Sequence, residues 1–476
     1  MSKGFALIVT LLLFIGVSSI VFEADRAEAS GTVYIKADGS VDPSTAPIKR
    51  DGDIYTITDH IYGEIVVERS NILIDGNACT LQGSGYPSTG IYLFDVSNVT
   101  IKNSNIQGFR IGIHLNSTSH NVLCGNNMKN NDFAVWLDYS SNNTVSGNNM
   151  KNNDNGIWLA YSQKNIIYGN GITANTCLGI GFAHCYNNTV SANEIKSNYE
   201  GIYLDRSSNN VLAENNITAN SLLGIWHYRS LKNIISGNNI KNNYMGVSLW
   251  DSSNNTASGN NIIANNAYGI HLENVHDNKF CHNNFIDNPQ HVHILEPGHV
   301  NSWDNSLEGN YWSDYVGVDS NHDGIGDSPH VLDECNKDNH PLMGRFSSFN
   351  TSLGYAVNVI SNSTIENLDC FEFNGTIKMY VSGKEEYGFC RVIIPYVLMN
   401  VNNISVIIDD GVTLVLYYNY TLHDNDTHRW IYFAYENSTH EIDILLEFPS
   451  PIILPLLVVG TLLIALIYRR ELSKCS

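Results

Sequence analysis

Positive charge is scarce in this sequence. Lys and Arg number 26 against 47 Asp and Glu, and the formal net charge is −21. A nucleic-acid partner requires a basic face, so no nucleic acid is expected. Paired cysteines of the metal type are missing as well, because the nine cysteines contain no C-x-x-C. Cys370 and Cys390 flank a predicted hairpin, and both a disulfide outside the cell and two separate core thiols are open to them. The middle of the chain lacks helix-compatible stretches. Gly, Asn and β-branched residues recur there every few positions and would not hold helices.

Long apolar runs are confined to the two ends. Lys3 precedes the run Phe5 to Phe22 and the small-x-small site Ala27-Glu28-Ala29, so residues 1–29 are expected to be a signal peptide. Ile452 to Tyr468 is apolar and is followed by Arg469, Arg470 and Lys474. It is expected to span the membrane once, with a cytoplasmic tail. Sequons at Asn98, Asn116, Asn142, Asn187, Asn216 and Asn254, and at seven sites from Asn350 to Asn437, fit an exported, extracellular glycoprotein.

What is abundant is Asn, and it is periodic. Segments begin at Gly90, Gly112, Ala134, Gly156, Gly179, Gly201, Gly224, Gly246 and Gly269, 22 or 23 residues apart. From Gly112 onward, Ile or Val follows one residue after each start, and Asn follows nine, fourteen and nineteen residues after it. Short strands with alternating inward apolar residues, stacked coil on coil, account for this period. Asn is expected at the corners, where left-handed backbone is cheap for it, with its side chains hydrogen-bonded from coil to coil.

The segments G-I-x-L-x-x-S-x-x-N-x-I-x-x-N-x-I-x-x-N resemble the right-handed parallel β-helix proteins of the NosD-like and carbohydrate-binding/sugar-hydrolase (CASH) group. GNYWSDY through NHPLM, residues 309–343, resembles the closing segment of archaeal NosD-like surface proteins, and the head from Val33 resembles their opening coil. The resemblance covers residues 32 to about 346 and is specific to architecture, less so to activity. Residues 347–448 change to alternating runs such as TIKMYV and WIYFAYE, which suggest a β-sandwich.

The expected fold is therefore all-β: a right-handed parallel β-helix of 22–23-residue coils, then a small β-sandwich and one transmembrane helix. The domains follow: signal peptide 1–29, N-terminal cap and first coils 30–89, repeats 90–308, C-terminal cap 309–346, sandwich stalk 347–448, and span with tail 449–476.

Outward positions of the first strands carry an aromatic stripe. Trp136, Trp158, Tyr203, Trp226 and Trp250 lie on it with Asp138 and Asp205, which suits glycans or other envelope components. A polysaccharide lyase or hydrolase is the alternative. Asp138 and Asp205 are three coils apart, about 14 Å, too far for an acid/base pair. The NosD resemblance implies copper handling for a nitrous oxide reductase, and His271, His291 and His293 are the candidate ligands, on one face. Asp319, Asn321, Asp323, Ile325 and Asp327 follow the spacing of a calcium loop with Gly324 at its turn, although His330 stands where an EF-hand has Glu. This loop is expected to stiffen a clasp at the open end of the solenoid.

Overall fold

The computed structural model describes residues 29–446 except 297, 372–375, 399–403, 410–413, 418–420, 426 and 437–438. The expected signal peptide, apart from Ala29, and the expected span lie outside the described residues. Among the described residues there is no helix. Two compact units divide the chain, residues 1–165 and 166–476.

The first unit is a stack of parallel coils. A coil has a six-residue strand such as Phe133–Asp138, then Thr144–Ser146, then Asn149–Lys151. Each strand pairs in parallel register with its equivalent one coil away, as in Ile113↔Val135↔Ile157 and Leu123↔Val145. The inward residues Val135, Leu137, Val145 and Met150 are fully buried. Removing each such side chain from water stabilises the stack by about 1.5–3 kcal/mol.

Asn side chains run between coils as expected. Asn121 donates its backbone N–H at 2.9 Å and its side-chain amide at 3.0 Å to Asn143 Oδ1, and Asn143 repeats both bonds to Asn165. The spare side-chain N–H of Asn143 goes to the Thr118 carbonyl. Every polar atom of the amide is thereby paired in a buried column. A second ladder, of hydroxyls, went unread in the sequence: Thr118 N–H donates to Ser140 Oγ and Ser140 N–H to Ser162 Oγ.

The left-handed residue is not the ladder Asn. It is the residue before it: Asn142 (φ 55°), Asn152 (φ 56°), Lys164 (φ 55°), and before the Ser ladder Tyr139 and Tyr161, both at φ 47°. The turn there swings the next side chain inward, onto its ladder. The strain of a non-Gly left-handed residue, about 1 kcal/mol, is offset by the ladder bonds that follow it.

The second unit continues the pattern within itself, from Ile166–Tyr168 to a last parallel pairing of Asn284–Ile286 with Tyr311–Trp312. Its three Asn ladders end on three different residues. The first runs Asn278, Asn301, Asn336, where Asn336 Oδ1 also accepts from Trp303 Nε1. The second runs Asn283, Asn310, Asp338. A carboxylate there accepts from Asn310 N–H at 2.7 Å and Trp312 Nε1 at 2.9 Å and leaves no donor without an acceptor. Burial nevertheless pushes the Asp338 carboxyl up to about 6. The third runs Asn265, Asn288 and then His291 Nδ1, 3.3 Å from Asn288 Nδ2.

Additional β-sheets follow. Arg345–Asn350, Ala356–Ser361, Tyr387–Pro395, His428–Glu436 and Thr421–Asp424 form one antiparallel sheet. Thr364–Phe371, Thr376–Ser382, Thr439–Leu446, Ile404–Asp409 and Leu414–Tyr417 form another. Val359, Val392 and Phe433 of the first share one core with Met379, Val406 and Ile442 of the second. Cys390 lies in that core as a free thiol, bonded to Ser361 and Tyr435, so the cross-link to Cys370 is not formed.

Candidate functional site

The second residue after each coil start faces outward. In the first unit this column is Tyr92, His114, Trp136 and Trp158, in continuous register. Ring centroids are 5.2 Å apart for Tyr92 and His114 and 5.7 Å for His114 and Trp136, and Phe133 leans on Trp136 at 4.8 Å. Trp136 and Trp158 are half-buried, so each shows only part of its ring. Asp138 follows on the same strand, and burial raises its carboxyl above the usual range. Burial, with Arg110 beside it, lowers His114 to about 4, so its imidazole is neutral at pH 7.

In the second unit the outward column holds Tyr203, Trp226, Ser248, His271 and His293. The next outward column holds Asp205, Tyr228, Trp250 and Glu273. Tyr203 and Trp226 are 4.7 Å apart, Trp226 and Tyr228 6.4 Å, and Tyr228 and Trp250 5.6 Å. Trp250 is the most open of these, 40% exposed.

Sequence reasoning missed Glu200 on this face. Burial pushes its carboxyl up to about 7. Tyr203 lies near both Glu200 and Asp205, and its hydroxyl rises to about 12, first from burial and then from these two carboxyls. A signal was available: Leu178 pairs with Glu200, and Leu223 and Met245 hold the same place in later coils. A lone acid among apolar residues marks the column. Half-open rings beside carboxyls offer what a sugar needs, an apolar plate for C–H groups and acceptors for hydroxyls.

The three candidate copper ligands separate into a pair and a single residue. His271 Nδ1 and His293 Nδ1 are 2.9 Å apart, with Tyr268 stacked on His293 at 4.4 Å. Glu273 approaches the other nitrogen of His271, at 3.8 Å. His291 does not share their face. It occupies the coil-start position, opposite Gly269, where two consecutive residues turn inward, as Ala134 and Val135 do. It is buried, ends an Asn ladder, and its Nε2 meets Ser313 Oγ at 3.2 Å. Among the described residues, no group of three or more His, Cys, Asp or Glu side chains is gathered for a metal.

The calcium-loop candidates converge on their own backbone. Asp319 accepts from the N–H groups of Asp323 (3.0 Å) and Gly324 (2.8 Å). Asp323 accepts from Ile325 N–H and from the Asn321 amide, and Asp327 accepts from Ser320 N–H. The Ser320 hydroxyl first, and then its N–H, lower the Asp327 carboxyl below its usual range. Gly324 takes φ +84°, which its missing Cβ permits. Ile325 is buried against Leu342, Phe346 and Trp430, so the loop is seated on the following sheets.

The sequence model described as periplasmic copper-binding protein (NosD) matches residues 173–317, and that described as right handed beta helix region matches residues 63–216. No curated protein sequence matches the chain. Among solved structures, a double mutant of the periplasmic alginate epimerase AlgG is 17% identical, covering 56% of this chain and 72% of that one, with a TM-score of 0.45. The Dettilon tailspike protein is 14% identical over 88% of this chain and 86% of that one, at 0.42. An alginate lyase from Paenibacillus sp. is 15% identical over 57% and 98%, at 0.38.

Proposed function

We propose that this NosD-like parallel β-helix protein binds glycans on the outward face of its first strands, at the cell surface. The observation that carries the reading is the in-register pairing of half-open rings within each unit, Trp136 on Trp158 beside Asp138 in the first and Tyr203 on Trp226 beside Asp205 in the second. Stacked aromatic edges of this kind give sugar rings a plate, and the flanking carboxyls accept hydroxyls. The sheets from Arg345 onward act as a sandwich stalk, and the apolar run at 452–468 anchors the chain in the membrane as a single span. The solenoid then stands outside the cell. A glycan array with the full chain, with and without chelator, tests this reading. Retention of no glycan would sink it.

Calcium belongs to the same proposal as a stiffener of the loop at 319–327. Its oxygen-rich set, Asp319, Asn321, Asp323 and Asp327, suits a hard cation, with the Ile325 carbonyl as a further ligand.

A second reading is copper handling, favoured by the His271 and His293 pair. Two nitrogens 2.9 Å apart fit adjacent corners of one copper ion with bonds of about 2.0 Å. The pair supplies two donors, and His291 is engaged elsewhere. Copper stoichiometry of the double His271→Ala, His293→Ala variant separates the two readings.

A further inference from the structure

Most arginines on the coil surfaces are neutralised by a neighbouring acid: Arg69 by Asp53, Arg206 by Asp205 and Arg229 by Asp251. Arg110 is different. Its guanidinium stands between two rings, 5.2 Å from the Tyr86 centroid and 5.9 Å from that of Trp136. Among the described residues it has no ion pair and no hydrogen-bond acceptor. Arg50 also lies over a ring, that of Tyr55, but its Nε donates to the Gly52 carbonyl, whereas the Arg110 guanidinium is left without an acceptor in a chain of net charge −21.

The surroundings point to a ligand. Trp136 Nε1 and His114 Nε2 are buried without partners under the same cluster, so the polar capacity of this face is unspent. Both atoms are covered by neighbouring side chains. What a ligand meets first is therefore the Arg110 fork and the ring of Tyr86, which is 77% exposed. Asp138 lies further along the strand from Trp136 and answers to burial alone, so the guanidinium is not consumed by it.

We propose that Arg110, clamped by Tyr86 and Trp136, forms a subsite for a carboxylate-bearing sugar unit. The planar guanidinium matches a carboxylate with two parallel N–H···O bonds. The Tyr86 ring takes the apolar face of the sugar, and Asp138 accepts hydroxyls of the adjoining unit. This inference rests on the glycan-binding reading above and adds the class of sugar to it.

The test uses the full chain in detergent micelles with polygalacturonate, alginate and hyaluronan. Each is paired with its carboxyl-reduced counterpart, and dextran sulfate serves as an anion of other geometry. The wild type binds at least one of the acidic polymers about 10- to 100-fold more tightly than its reduced form, as a charge-assisted bidentate contact allows. Arg110→Gln brings that ratio to about 1 with an unchanged circular dichroism spectrum and melting point, and Arg110→Lys restores part of it. Equal binding of acidic and reduced polymers, or tightest binding of dextran sulfate, overturns the carboxylate subsite and leaves the glycan reading standing. Binding of none of these polymers by the wild type, together with an empty glycan array, overturns both.

Discussion

The Glu308 carboxylate and the Arg391 guanidinium form an ion pair at 2.9 Å, with side chains only 4% and 11% exposed. Trp430 Nε1 donates to the same carboxylate oxygen at 2.9 Å, and His282 Nε2 meets the other at 3.0 Å. Arg391 also donates to the Asp323 carbonyl at 2.7 Å. One buried acid thus joins the last coils, the 319–327 loop and the antiparallel sheets. Breaking it from one side leaves buried charge uncompensated, so Glu308→Ala should cost about 3–5 kcal/mol in a denaturant titration. Arg391→Met should in addition speed hydrogen exchange at Gly324 and Ile325, while exchange in the coils before Asn260 stays unchanged.

The ladder bonds predict a sharp difference between a ladder asparagine and a corner asparagine. Asn233 accepts from Asn210 twice and donates to Ser207 and Asn255. Asn233→Ala strands these buried groups and should cost about 2–4 kcal/mol. Asn209, one place before the ladder residue Asn210, is exposed at φ 57°. Asn209→Gly keeps that backbone and should change stability by less than about 0.5 kcal/mol. Unfolding midpoints of the two variants check the contrast.

His227 replaces an aliphatic residue inside the column between Leu204 and Leu249. It is fully buried, neither ring nitrogen has a partner, and burial lowers it to about 3. The unfolded chain, with His near 6.5, then binds more protons than the folded one between those values. The contribution is fully present above about pH 6.5 and is lost as pH falls through that window. Melting temperature should drop on acidification from pH 7 to 4.5, and His227→Leu should flatten the drop while raising stability at both pH values.

Calcium at millimolar concentration should raise the melting temperature of the full chain through the loop, by mass action on the folded state. The double variant Asp319→Asn, Asp323→Asn should abolish the increment. An increment that survives in that variant would place the ion elsewhere.

The period of Asn was enough to read the coil length, the inward columns and the ladders, because stacking forces identical positions together. It did not show which residue takes the left-handed turn. Asn142 and Asn143 are the same residue type in adjacent places, and only the backbone tells corner from ladder. His291 was misplaced for a related reason: strict alternation breaks at the coil start, where two residues in a row face inward. The aromatic columns of Trp136 and Trp226 were legible from spacing. Glu200 was not picked out, since it is a lone acid beside Leu178, Leu223 and Met245, and Arg110 was not, since its place in the coil is of mixed type, with Asp132 and Asp154 following it. Glu308 was invisible because its partners Arg391 and Trp430 are 83 and 122 residues away in sequence.

Glycan binding by the aromatic columns of the two units is tested most directly by the glycan affinity of the full chain carrying Trp136→Ala, Trp158→Ala and Trp226→Ala. Each ring contact is worth about 0.5–1.5 kcal/mol, so the three together should weaken binding by about 100-fold at unchanged melting temperature. Affinity within twofold of wild type, with the fold intact, would contradict the proposal that these columns bind glycans.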